Sequence, residues 1–305
     1  MAKTLLTIPA DLRIQIFKHL FRSITISKGL GKTGSNHTSI LTTCRQIHNE
    51  AILLLPPNVS FHFISTEAML DCLTTLTPEL IRRIRHIRVK AFPFPLYASE
   101  DASYYTTHDF AAILPIFPGL RLDCLVVEDC YHDEGINDGW GDEGTYFTIQ
   151  SLIESDGWNE LHFVSPSTGF MSGSFHKSRV PQPARWNALL QNRDGQDSGA
   201  SVTMRVAKVP KAPGATENPD LCTAYNVVPR PEYPSDSAPA IIDNGDNTTD
   251  REVLVIASRG KNASYTQDGS NLAEEIRNLL RTMTWEEIKT SGLYLENEKD
   301  PCAHL

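Results

Sequence analysis

The chain lacks the marks of several protein classes. None of its 305 residues falls in an apolar run approaching the 18 or so consecutive residues that a helix needs to cross a bilayer. The first dozen residues hold one Lys, an early Pro and an acidic residue, instead of the roughly 7–15-residue apolar stretch of a secretory signal. Cysteine is sparse and scattered: Cys44, Cys72, Cys124, Cys130, Cys222 and Cys302 form no C-x-x-C pair. Without a secretory signal they read as reduced, mostly buried thiols of a cytoplasmic or nuclear protein. On that reading the Asn-x-Ser/Thr sequons at Asn36, Asn58, Asn247 and Asn262 are coincidental. Basic residues are also short, 28 against 37 acidic for a net charge of −9. That balance argues against a general nucleic-acid or anionic-membrane binder.

The marked catalytic patterns are missing too. There is no G-x-S-x-G elbow, no H-E-x-x-H and no G-x-G-x-x-G. Ser172 is flanked by Phe170 and Ser174 where an elbow has glycines. Gly31-Lys32-Thr33 resembles the end of a phosphate-binding loop, but Ile26 stands where the first glycine is required. The residues thus give no catalytic group and no cofactor.

What is present is an ordinary globular composition, 40% hydrophobic and 21% charged, over a length of about two domains. Pro9 and Asp11 suit a helix start, and Leu12, Ile16 and Leu20 then recur at i, i+4, i+8, with Phe17 and Phe21 widening the stripe. A second helix runs from about Ser39 through Ile40, Cys44, Ile47, Ala51 and Leu54, ended by Pro56-Pro57, and Val59–Ile64 reads as a strand. Further on, helices at Thr66–Leu76, Pro78–Arg83, Asp109–Phe117 and Phe147–Ser155 alternate with strands at Ile84–Ala91, Leu122–Val127 and Glu160–Val164. Phe92–Leu96 reads as a Pro-rich loop. That alternation points to an α/β (or α+β) fold with a parallel layer, either an irregular sheet or a leucine-rich-repeat-like curved one. Arg185–Gln191 and Ser201–Val209 read as a helix and a strand, and residues 209–250, with seven prolines, as a linker or long loop. The apolar run within Glu252–Ala257 is expected to be a strand buried on both faces that returns to the same sheet. A last helix, capped by Ser270, carries Leu272, Ile276, Leu279 and Met283 on one face and ends at Gly292. The division expected is a helical segment at 1–65 and an irregular α/β domain at 66–305.

Two stretches carry a resemblance. Leu5-Leu6-Thr7-Ile8-Pro9-Ala10-Asp11-Leu12, followed by Ile16-Phe17 and Leu20, resembles the opening of an F-box. Ile40-Leu41-Thr42-Thr43-Cys44-Arg45-Gln46-Ile47-His48-Asn49-Glu50-Ala51 is similar to the later F-box helix. Together they look most like the F-box-like proteins abundant in filamentous fungi, over roughly the first 60 residues. The chain departs from the family in the Gly- and Ser-rich stretch within Ile24–Ser39, and in Ile47, which stands where Trp is usual. The resemblance implies a non-enzymatic interaction adaptor. Leu6, Ile8, Pro9, Leu12, Ile16, Phe17, Leu20, Cys44 and Arg45 would dock on the adaptor subunit of an SCF-type (cullin–RING) ubiquitin ligase, and the α/β layer would present an unidentified protein target. Physical chemistry alone leaves two partners open for such short helices: the following α/β layer, or a separate protein's groove.

Three other clusters remain. The stretch Glu128, Asp129, Asp133, Glu134, Asp138, Asp142 and Glu143, with His132, reads as a solvated acidic loop; its rival reading is the site of a small-molecule or metal-dependent enzyme. Neither Asp129 nor Asp133 opens an EF-hand register, and Cys124, Cys130 and His132 lack a fourth zinc ligand at suitable spacing, so no metal is expected. The basic run Arg82, Arg83, Arg85, His86, Arg88 and Lys90 lies at a helix end and on one strand face. It suits local stabilisation first and an acidic protein partner second. A third reading for the whole chain is a family remnant that no longer binds the adaptor.

Overall fold

The structure, a computed structural model, describes residues 5–28, 36–97, 105–132, 140–167, 170, 182–207, 227–229, 253–270 and 272–294. Eight strands form one mixed sheet: β1 (Thr25–Lys28), β2 (Ser60–Phe63), β3 (His86–Lys90), β6 (Leu122–Glu128), β7 (Trp158–Ser165), β10 (Val253–Ser258), β8 (Ser201–Ala207) and β9 (Val227–Pro229), in that spatial order. The first five are parallel and follow chain order. β10 is antiparallel to both β7 and β8, and β8 to β9. A separate hairpin pairs β4 (Phe94–Tyr97) with β5 (Tyr105–His108).

Register explains why the sheet holds. Phe61, Ile87, Leu125, Leu161, Ala257 and Val202 pair in turn across six strands. Two residues on, Phe63, Val89, Val127, Phe163, Val255 and Met204 do the same. A one-residue slip of any strand would carry its apolar set to the opposite face, so burial fixes the pairing. Most of these side chains belong to the main core, with α4 (Thr66–Leu73), α5 (Pro78–Ile81), α6 (Trp140–Glu154) and α7 (Gln182–Asp194) connecting successive strands.

The N-terminal segment has its own apolar cluster of Phe17, Phe21, Ile24, Ile47, Ala51 and Val59, and Phe61 packs against both clusters. The first 65 residues carry two strands of the sheet, β2 where Val59–Ile64 was expected and β1, which was not expected. The β-branched run Ile24-Thr25-Ile26 was the signal for β1. Pro9 precedes helix α1 (Ala10–Arg22) as its N-cap, its carbonyl accepting from the amides of Leu12 and Arg13. The second helix is broken at Cys44 into a 3-10 segment, Asn36–Thr42, and α2 (Arg45–Ala51). Pro56-Pro57 do not end it; they sit in the first turn of α3 (Leu55–Asn58), where no amide is needed.

Phe92–Leu96 is likewise not all loop, since β4 starts at Phe94. The last helix is two: α8 (Glu274–Thr282), with Ala273 and not Ser270 as N-cap, and α9 (Trp285–Thr290). Met283 is extended, and Thr284 with Glu287 forms a capping box that restarts the helix. Most of 209–250 lies outside the described residues, apart from β9. No helix among the described residues is long and apolar enough to cross a membrane.

β10 does return to the sheet, as its apolar run implies. β7–α7–β8 leaves a slot one strand wide, and β10 fills it. A buried ion pair closes the slot. Arg259 grips Asp194 through Nε (2.8 Å) and Nη2 (2.7 Å), reaches Asp156 at 3.1 Å and lies over the Trp158 ring at 5.6 Å. The Arg259 and Asp194 side chains are 2% and 1% exposed, so removing one leaves the other desolvated and unpaired. Arg259→Ala should therefore lower the unfolding free energy in urea by about 3–5 kcal/mol; a loss below about 1 kcal/mol would show that water replaces the pairing.

Candidate docking surface and acidic cluster

Helix α1 turns two apolar faces in different directions. Phe17 and Phe21 are fully buried, their rings 6.4 Å apart at the centre of the N-terminal cluster. Leu12 and Ile16, 48% and 42% exposed, point away from that cluster, and Leu6 in the preceding 3-10 turn is 43% exposed. Ile8, Leu12, Gln15, Ile16, His19 and Leu20 line an open groove of about 600 Å³. The surface it presents is almost wholly apolar, although Gln15 and His19 are among the lining residues.

Of the residues expected to dock, Leu6, Pro9, Leu12 and Ile16 are exposed, and Ile8 and Leu20 are half-buried. Phe17 is not on this face. A step of one residue from Ile16 turns the helix by about 100°, which carries the ring into the core. Cys44 is half-buried against the N-terminal cluster as the residue preceding α2, and Arg45 is exposed as the first residue of that helix; neither lines the groove. Sequence reasoning missed Gln15 and His19, polar members of an apolar stripe, and the exposed Ile52 and Leu53. Among the described residues the other exposed large apolar side chains are Ile64, Leu80 and Phe147, so five of these eight fall in the first 54 residues.

The acidic stretch is not a solvated loop where the structure describes it. Glu128 ends β6, paired with Arg88 on the neighbouring strand and 3.6 Å from His62. Burial would raise its pKa, but the bond with His62 and the Arg88 charge outweigh that and hold it down at about 2. Asp129 is buried, and both of its oxygens are used. Oδ1 accepts from the Tyr131 amide (2.9 Å), and Oδ2 from Thr145 (2.8 Å), Ser165 (2.6 Å) and His132 Nδ1 (2.7 Å). The other ring nitrogen of His132 bonds Asp142 at 2.8 Å. This network ties the end of β6, the end of β7 and the first turns of α6 together. Asp133, Glu134 and Asp138 lie outside the described residues.

Among the described residues no group of three His, Cys, Asp or Glu could hold a metal ion. Cys130 is buried with its thiol 3.1 Å from the Ala91 carbonyl, whereas Cys44, Cys72 and Cys124 are half-buried, so the thiols are less enclosed than expected. The basic run serves its own neighbourhood. Arg85 donates to the carbonyls of Arg82, Ile84 and Arg121, Arg83 to that of Leu53, and Arg88 to Glu128. Ile84, Ile87 and Val89 point inward, as their alternation implies. Gly31-Lys32-Thr33 and Ser172 fall outside the described residues. No family model matches the chain, and a search of curated proteins returns no match.

His132 makes the acidic network sensitive to pH. Burial alone would lower its pKa, but the bonds with Asp129 and Asp142 raise it to about 9. A histidine whose folded pKa lies above its unfolded value, about 6.5, contributes stability that is complete below that value and lost as pH rises through about 9. Denaturant titrations at pH 6, 8 and 10 should show falling stability across this range, and His132→Gln should remove that part of the slope. An unchanged slope in the variant would show that the ring is not held charged.

Proposed function

We propose that the chain is a non-enzymatic protein-interaction adaptor that uses the outer face of α1 to dock on a separate protein. One observation carries this reading: Leu12 and Ile16 stay exposed beside a helix face that is otherwise sealed. Complete burial of a fully exposed Leu or Ile yields about 1.5–3 kcal/mol, and Leu6, Leu12 and Ile16, each a little under half exposed, would add about half of that apiece at the centre of an interface. The groove is open and mostly aliphatic, which suits the apolar face of an amphipathic helix.

The resemblance of Leu5–Leu20 and Ile40–Ala51 to F-box helices supplies the partner: the adaptor subunit of an SCF-type ubiquitin ligase. On this reading the α/β layer holds a target protein, and other subunits perform the chemistry. The chain contributes proximity, which turns a bimolecular step into an effectively intramolecular one. The enzyme reading loses ground at its own site. The polar atoms of Asp129 and His132 are occupied by one another and by Thr145, Ser165, Tyr131 and Asp142, which leaves them without the open coordination a substrate would need.

Tagged full-length chain should co-purify the ligase adaptor. The double variant Leu12→Asp/Ile16→Asp should lose it while keeping the wild-type melting transition, because neither side chain contributes to the core. Absence of adaptor with the wild-type chain, or unfolding of the double variant, would contradict the proposal.

A further inference from the structure

Arg13 is an anomaly on α1. It is charged and lies between the exposed Leu12 and the half-buried Ile14, yet it is only 6% exposed. Every part of its guanidinium has a partner. Nε and Nη2 fork onto Glu50 of α2 at 2.8 and 2.5 Å, across 37 residues of sequence. Nη1 donates to the Ile8 carbonyl at 2.5 Å, with the Leu6 carbonyl at 3.5 Å. Gln46 donates to the same Glu50 carboxylate at 3.0 Å. The pairing stabilises both charges: the bond with Glu50 raises the pKa of Arg13, and the bond with Arg13 lowers that of Glu50.

These contacts join three pieces of chain, the turn Leu5–Thr7, α1 and α2, which otherwise meet through the apolar cluster on the inner side of α1. The turn Leu5–Thr7 has no buried residue, and the Ile8 amide closes it by donating to the Leu5 carbonyl. α2 is a short helix capped by no side chain. We infer that Arg13 and Glu50 are the positioning residues of the docking face, and that their ion pair fixes the Leu6–Ile8 turn on α1 and orients α2 beside it. Arginine suits this geometry: a planar fork serves two carboxylate oxygens while its third nitrogen reaches a carbonyl, whereas the three N–H donors of lysine sit on one nitrogen and do not reproduce the fork and that reach together. The inference rests on the docking reading for its functional consequence, and on the geometry alone for its structural one.

The test separates the two. In full-length Arg13→Lys and Glu50→Gln, hydrogen exchange at the Ile8 amide should accelerate by roughly tenfold or more, with amides of β3, β6 and β7 unchanged. Affinity for purified ligase adaptor should fall by roughly tenfold, mostly through faster dissociation. Unchanged Ile8 exchange in both variants would overturn the positioning role whether or not the adaptor binds. Faster Ile8 exchange with unchanged affinity would overturn the claim that the turn belongs to the docking face. Loss of sheet protection in Arg13→Lys, the variant that keeps the charge, would make the pair a general fold determinant and would also overturn the inference. If wild type binds no adaptor, the docking reading fails while the exchange result still decides the role of Arg13.

Discussion

A helix can press only one face against its own domain, and α1 has apolar residues on two. Its thirteen residues cannot turn Phe17 and Phe21 inward without turning Leu12 and Ile16 outward, because about 100° separates neighbours on the helix. The inward face is fixed by two aromatic rings that are fully buried with Ile47, Ala51 and Val59. The outward face is what remains, and the groove is its consequence. The N-terminal cluster cannot rotate to hide it, because β1 and β2 anchor the segment in the sheet and Phe61 is shared between the two cores.

The rest of the fold follows from burial on strands. Apolar residues in two matched registers run from Phe61 to Val202 and from Phe63 to Met204, and the sheet is the surface on which both ladders are satisfied at once. β10 enters as the eighth strand's neighbour only because Val253, Leu254, Val255 and Ala257 are buried and Arg259 locks its end to Asp194. At the opposite end of the parallel strands, Asp129 and His132 perform a related task with polar groups. They join β6, β7 and α6 where the chain leaves the sheet.

Much of this was legible from the residues. Strands at 84–91, 122–127 and 160–164 and the return of the run near 253 appear close to where alternation put them, whereas the helix expected from Phe147 already begins at Trp140 and the one expected at Asp109–Phe117 is a 3-10 segment, Phe110–Ile116. Errors arose where local rules compete. Pro56-Pro57 look like a stop but occupy a helix's first turn, and Met283-Thr284 break a periodic stripe through a capping box that the apolar pattern hides. On α1, spacing put Leu12, Ile16 and Leu20 on one stripe widened by Phe17 and Phe21, and a stripe read from sequence does not say which edge faces inward. The roles of Arg13 and Asp129 were not legible at all: their partners lie 37 and up to 36 residues away, and no local pattern announces a pairing made by the fold.

An apolar contact has a thermodynamic signature that a charged one lacks. Calorimetric titration of the full chain with purified ligase adaptor, at several temperatures and two salt concentrations, tests the central claim most directly. The account predicts saturable binding with a negative heat-capacity change and little dependence on salt, as burial of Leu6, Leu12 and Ile16 requires. No binding heat at any temperature, or binding that weakens steeply with salt and shows no heat-capacity change, would contradict it.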